Sequence, residues 1–210
     1  MYKRQVSSLS ESPGQAHAFA LDLAFTAASD ALVRVPLNTE VHQRLKSAAV
    51  WESTLELWLG HLINLDDHTA PMQLRNCQEI CLGLQFVDDA EIADLNQRWR
   101  GQPNPTDVLS FSALEADMPS EGNTSLELGD IIVSVPTAAR QALDQNHGLD
   151  RELSWLVSHG LLHLLGWDHP DEPSLMAMLQ CQEQLLAMAG KVQSHSEIDC
   201  ESADEITAGP

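Results

Sequence analysis

The chain of 210 residues suits one domain with extensions and is long enough to bury a sizeable core. Its 31 Asp and Glu against 11 Lys and Arg give a formal net charge of -20, which favours solubility and, taken alone, argues against a nucleic-acid partner. Cys77, Cys81, Cys181 and Cys200 form no C-x-x-C pair or disulfide framework, no apolar run marks a membrane span, and the start "MYKRQVSSLSESPGQ" lacks the apolar stretch of a secretory signal, so the chain reads as cytosolic.

Residues 1–15 and the acidic 191–210 read as disordered tails around a single domain at 16–190. "AFALDLAF" places Phe19, Leu21, Leu23 and Phe25 on alternate positions, the period of a half-buried strand. From Thr39 to Ile63, Leu45, Ala48, Ala49, Leu55, Trp58, Leu59 and Leu62 recur at threes and fours, predicting one long amphipathic helix or two shorter ones. "EICLGLQFV" predicts a second strand and "DDAEIADLNQRW" a short helix burying Ile92, Leu95 and Trp99. "DVLSFS" and "GDIIVSV" predict two more strands, and Pro136 is placed to open at N1 a helix that stops at Gly148. A helix carrying histidines follows from about Asp150. The last runs from Pro173 to Ala189 and packs through Leu175, Met178, Leu179, Leu185, Leu186 and Met188.

The stretch "HGLLHLLGWDH" carries the chemistry. His159 and His163 share a helical face one turn apart, so their imidazoles can converge on one ion. A continued helix would set His169 roughly 15 Å along the axis from His159, too far to share it. Gly166 is placed to end the helix in a left-handed turn and bring His169 back. Three neutral imidazoles with one open position are the pattern of a catalytic rather than a structural zinc, although nickel, cobalt or copper would suit the same nitrogens. A pair at i, i+4 arises readily by chance; three with the glycine between the second and third do not. His17, His42, His61, His68, His147 and His195 form no such cluster and read as structural or solvated.

The spacing is that of metzincin proteases, but their catalytic glutamate is here Gly160. Without that base the metal suits a phosphodiester, whose non-bridging oxygens call for a nearby Arg or Lys. "LNQRWRGQPNPTDVLSF" offers Arg98 and Arg100. In this order, that segment, "LGDIIVSV" and "HGLLHLLGWDH" resemble the three signature blocks of the YbeY family, bacterial rRNA maturation factors, over roughly residues 77 to 190.

The resemblance implies an α+β fold with a mixed, roughly four-stranded sheet and three histidines at one end of a cleft. It implies a single-strand-specific, metal-dependent endoribonuclease acting in maturation of rRNA ends, the 16S 3′ end in particular, and in ribosome quality control. His159, His163 and His169 fall on the family's metal ligands, where ligand type makes one Zn2+ the expected cofactor, and Arg100 falls on an arginine held to be needed for activity. Trp99 and the tryptophan of "GWDH" stand where many members have tyrosine; residues 31–70 and the acidic tail look like additions. Partners implied are single-stranded rRNA and ribosomal proteins or assembly factors, with no membrane.

Taken alone, Arg100 would be a helix C-terminal cation, and Asp130 and Asp168 would be turn or capping carboxylates, contact to a ligand histidine being the minor alternative. Trp99 and Trp167 read first as packing residues, although either could stack an RNA base. A rival enzyme is a metalloprotease using Glu152 or Asp168 as base; a rival of another class is a ribosome assembly factor with a structural metal. The acidic charge leaves zinc, Arg98 and Arg100 as the positive spot, predicting weak intrinsic RNA affinity and delivery by a ribosomal partner.

Overall fold

The computed structural model describes residues 18–28, 42–43, 45–65, 71–114 and 125–201, with residues 190–201 described by their backbone. The expected tail at 1–15 and residues 202–210 of the one expected at 191–210 lie outside these residues, as do parts of 31–70. The architecture is α+β: four strands, β1 (Ala20–Ala27), β2 (Glu79–Val87), β3 (Val108–Ser112) and β4 (Ser125–Ser134), form one mixed sheet in the order β1-β2-β4-β3. β1, β2 and β4 run parallel, and β3 closes one edge antiparallel to β4. The helices are α1 (Ala48–Ile63), α2 (Asp89–Arg100), α3 (Val135–Asp144), α4 (Leu149–Leu164) and α5 (Glu172–Glu201).

The alternation along β1 and β2 sends Leu21, Ile80, Leu82, Leu84 and Phe86 to one face, where they join Ile131 and Val133 of β4. α1, α4 and α5 cover that face with Trp51, Leu55, Trp58, Leu59, Val157, Leu161, Met178 and Leu185 in one core. Trp58 is fully buried, and its Nε1–H donates to the Leu185 carbonyl at 2.7 Å, pinning α1 to α5. Truncating one of these leucines to alanine costs about 2–5 kcal/mol by the usual cavity arithmetic. The opposite face holds a much smaller cluster, Val87, Ile92, Leu109 and Ile132, under α2.

Five expectations change. Ala48 and Ala49 are exposed, and α1 packs instead through Trp51 and Thr54 with the leucines, because the first turn stands clear of the sheet. Trp99 is 69% exposed rather than buried, since the last turn of α2 overhangs the small cluster beneath it. Ser134 caps α3 and puts Val135, not Pro136, at the first position. That helix stops before Asn146, which takes φ 56°, and Gly148 serves as the N-cap of α4. The backbone of α5 stays helical to Glu201, past the expected end at Ala189.

The starts of α2 and α3 are tied together. Asp89 accepts the Ser134 and Thr137 hydroxyls at 2.6 and 2.7 Å and pairs with Arg140 at 2.9 Å. Burial would raise the Asp89 carboxyl, but these bonds together hold it below its ordinary value. Asp88 caps α2 by accepting the Glu91 N–H at 2.9 Å. This fixes the direction in which α2 crosses the sheet and carries its C-terminal end toward Phe111 on β3.

Candidate metal centre

α4 ends as its sequence predicts. Gly166 adopts φ +87°, its N–H donates to the His163 carbonyl at 3.0 Å, and the Trp167 N–H donates to Leu162 at 3.0 Å. This paired closure is a Schellman motif, and it reverses the chain directly after the second histidine. Asp168 then accepts the His169 N–H at 2.8 Å, and Asp171 accepts the Ser174 N–H at 2.9 Å at the head of α5. His169 is held between the end of one helix and the cap of the next.

The three imidazoles meet. His159 and His163 lie 4.6 Å apart by ring centroids, His163 and His169 5.3 Å, and His159 and His169 5.7 Å. One ring nitrogen from each falls within 4.8 Å of the others, a set able to hold a metal ion. The Nε2 atoms of His159 and His163 are 3.1 Å apart. Two nitrogens on one tetrahedral ion at about 2.0–2.1 Å would stand roughly 3.3 Å apart, so the pair fits such a group.

Gln182, fully buried on α5, supplies what the spacing alone could not show. Its Oε1 lies 3.3 Å from His159 Nδ1, and its amide nitrogen donates to the Trp155 carbonyl at 3.2 Å. With the amide nitrogen so used, Oε1 is the acceptor for Nδ1–H, and Nε2 keeps its lone pair facing His163. The one sequence signal was a glutamine inside the apolar packing face of "LQCQEQLLAM", 23 residues from His159.

Electrostatics favour neutral rings. Burial, the largest cause, and repulsion from His169 lower the pKa of His159 against the Gln182 bond and the Asp107 carboxylate. Burial, then His159 and His169, lower His163 against its Trp167 backbone bond and Asp168. Unprotonated imidazole is the form that binds a metal.

Gly160 has a packing reason. A Cβ there would stand 2.8 Å from Ile131 Cγ2 and 3.5 Å from Val108, because α4 lies directly on β3 and β4. A glutamate in that position would be driven into the sheet.

The other candidates are spread out. Glu152 is buried at the first turn of α4, with its carboxylate 3.0 Å from His147 Nε2. Seven residues of helix, about 10 Å of axis, separate it from His159, so it is no base for this centre. Asp130 lies over Gly83 on the face of β4 opposite Ile131 and does not reach the histidines. Asp168 is exposed and holds the turn. Arg98 pairs with Asp94 one turn earlier, whereas Arg100, exposed at the end of α2, makes no hydrogen bond or ion pair with the described residues. Ser112 on β3 donates its hydroxyl to the Leu164 carbonyl at 3.1 Å, so β3 joins the end of the histidine helix to the region of α2.

Three comparisons bear on this arrangement. The family model described as Endoribonuclease YbeY matches residues 40–190. The Endoribonuclease YbeY of a Synechococcus species is 54% identical over 174 residues, 83% of this chain and 98% of that protein. That of Prochlorococcus marinus is 47% identical over 175 residues, 83% of this chain and 94% of its own. A solution structure from Thermotoga maritima aligns with 90% of this chain and 99% of its own at 22% identity and a TM-score of 0.49. No helix among the described residues is long and apolar enough to cross a membrane.

Proposed function

The chain belongs to the Endoribonuclease YbeY family, and on that premise we propose that it is a zinc-dependent endoribonuclease cutting single-stranded RNA. In this reading it acts in the cytoplasm on the 16S rRNA 3′ end and in ribosome quality control, brought there by ribosomal proteins or assembly factors. The catalytic domain is 16–190. His159, His163 and His169 hold one ion, and Arg100 binds the phosphate at the scissile bond.

The observation that carries the reading is the 3.1 Å approach of the His159 and His163 Nε2 atoms, with the His159 ring held by a buried amide. Bound there, zinc would supply Lewis acidity toward a phosphodiester and help ionise the attacking hydroxyl. The residues around it do the positioning. Gln182 fixes the tautomer of His159, the Gly166 turn presents His169, and burial keeps His159 and His163 in the ligand form. Arg100, free of ion pairs with the described residues, can give a bidentate grip to a non-bridging phosphate pair. Arg98 offers less, since Asp94 offsets its charge.

A protease mechanism is disfavoured by the same geometry. Gly160 has no room for a glutamate, and Glu152 is paired and remote. The test is metal analysis and cleavage of single-stranded RNA by wild type and Arg100→Ala side by side. One zinc per chain in both, with cleavage lost by about 100-fold in the variant, is the expected result. Unchanged cleavage would remove Arg100 from the site, and casein cleavage without RNA cleavage would restore the protease. A 2′,3′-cyclic phosphate end would identify the RNA 2′-OH rather than water as nucleophile.

A further inference from the structure

The chain has five tryptophans, and four of them are packed. Trp51 and Trp58 are buried, with Nε1–H donated to backbone carbonyls, and Trp155 and Trp167 lie against the main core. Trp99 alone is exposed, to 69%. Its exposure offers water a large, flat aromatic surface with a polar N–H at one end.

Its surroundings narrow what that surface can do. The ring rests at 5.4 Å and 57° on Phe111, which fixes the indole from behind and leaves a face open. Arg100 follows it directly without an ion pair among the described residues, and Gly101, at φ +70°, turns the chain away at once so that the loop does not cover the ring. Phe111 precedes Ser112, whose hydroxyl is bonded to Leu164 beside His163. β3 is an edge strand, and its Phe111 on one face and the end of the histidine helix, bonded to Ser112, on the other both border the same free edge.

We propose that Trp99, backed by Phe111, is a stacking platform for an unpaired nucleobase of the RNA next to the scissile phosphate that Arg100 binds, the strand rounding the β3 edge between the platform and the histidines. An aromatic face with a neighbouring cation is the sequence-tolerant way to hold single-stranded nucleic acid, and a duplex offers it no open base. The platform rests on the endoribonuclease reading and names how that site selects single strands. It also supplies grip that an acidic protein cannot draw from its overall charge.

The test uses the full metal-loaded chain. Its tryptophan fluorescence is titrated with a short 2′-O-methyl oligo-uridine, alone and annealed into a duplex, and single-strand cleavage is followed at steady state. The single strand should quench the exposed indole, and Trp99→Phe should abolish that quenching while keeping affinity within about threefold. Trp99→Ala should weaken single-strand binding by about tenfold or more and act on KM rather than kcat, with an unchanged circular dichroism spectrum. If wild type binds and cleaves while Trp99→Ala matches it, or if quenching persists in Trp99→Phe, the platform is refuted and the endoribonuclease reading stands. If wild type neither binds nor cleaves RNA, both fall.

Discussion

The two ends of α4 treat their ionisable groups in opposite ways. At the first turn Glu152 is only 6% exposed and takes His147 as its partner, and nearby Asp107 accepts from Thr106, the Val108 N–H and Gln141. At the last turn three imidazoles face one another with no carboxylate among the converging atoms, and His159 is tied only to a neutral amide. The buried Glu152–His147 pair at one end holds the fold; clustered lone pairs at the other do nothing for folding unless a cation joins them. Perturbed groups mark function only where their partners fail to explain them.

The sharpest separation comes from matched alanines. His163→Ala should abolish zinc retention and cut RNA cleavage by at least about 100-fold with the apo melting temperature little changed. His147→Ala should leave zinc content intact and lower stability by about 1–3 kcal/mol by removing the partner of the buried Glu152 carboxyl. Equal zinc loss in both would erase the contrast. Next is Gly160→Glu, which restores the protease motif in sequence. Its contact with Ile131 predicts a loss of about 3 kcal/mol in chemical denaturation and no proteolysis.

Gln182→Leu probes the joint between α5 and the metal end. Competition with a chelator should show zinc affinity reduced by about 10–100-fold, and an unaltered affinity would leave Gln182 a packing residue.

The smallest effect belongs to Asp107. Burial would raise its carboxyl, but the hydrogen bonds from Gln141, Val108 and Thr106 outweigh it and hold the group below its ordinary value. A depressed carboxyl adds stability that is fully present above the unfolded pKa of about 3.9 and is lost as pH falls through the lower folded value. Asp107→Asn should therefore flatten the decline of the melting temperature below about pH 4. A decline as steep as that of wild type would place the acid sensitivity elsewhere.

Much of this was legible in the sequence because it is local. Alternation marked β1, short apolar and β-branched runs between turn residues marked the other three strands, and the histidines and Gly166 sit within one helix end and its turn. What escaped depends on distance in the chain. Trp99 shares the helical stripe of Ile92 and Leu95, and only the limited extent of the sheet under α2 decides that it stays wet. Gln182 looks like an ordinary helix residue until α5 folds against α4. Gly160 reads as a missing base, while its cause is Ile131, on a strand named by no helical pattern. Arg100 came from the resemblance, not from any spacing.

The compactness of "HGLLHLLGWDH" has a thermodynamic consequence. All three nitrogen donors come from one run of eleven residues, so bringing His169 back to the pair closes a loop costing only about 1–2 kcal/mol in chain entropy. An unfolded or half-folded chain can close that loop too. A metal ion held there would then be a weaker brake on unfolding than its affinity for the native protein suggests, since ligand taken up by the denatured ensemble subtracts from the stabilisation.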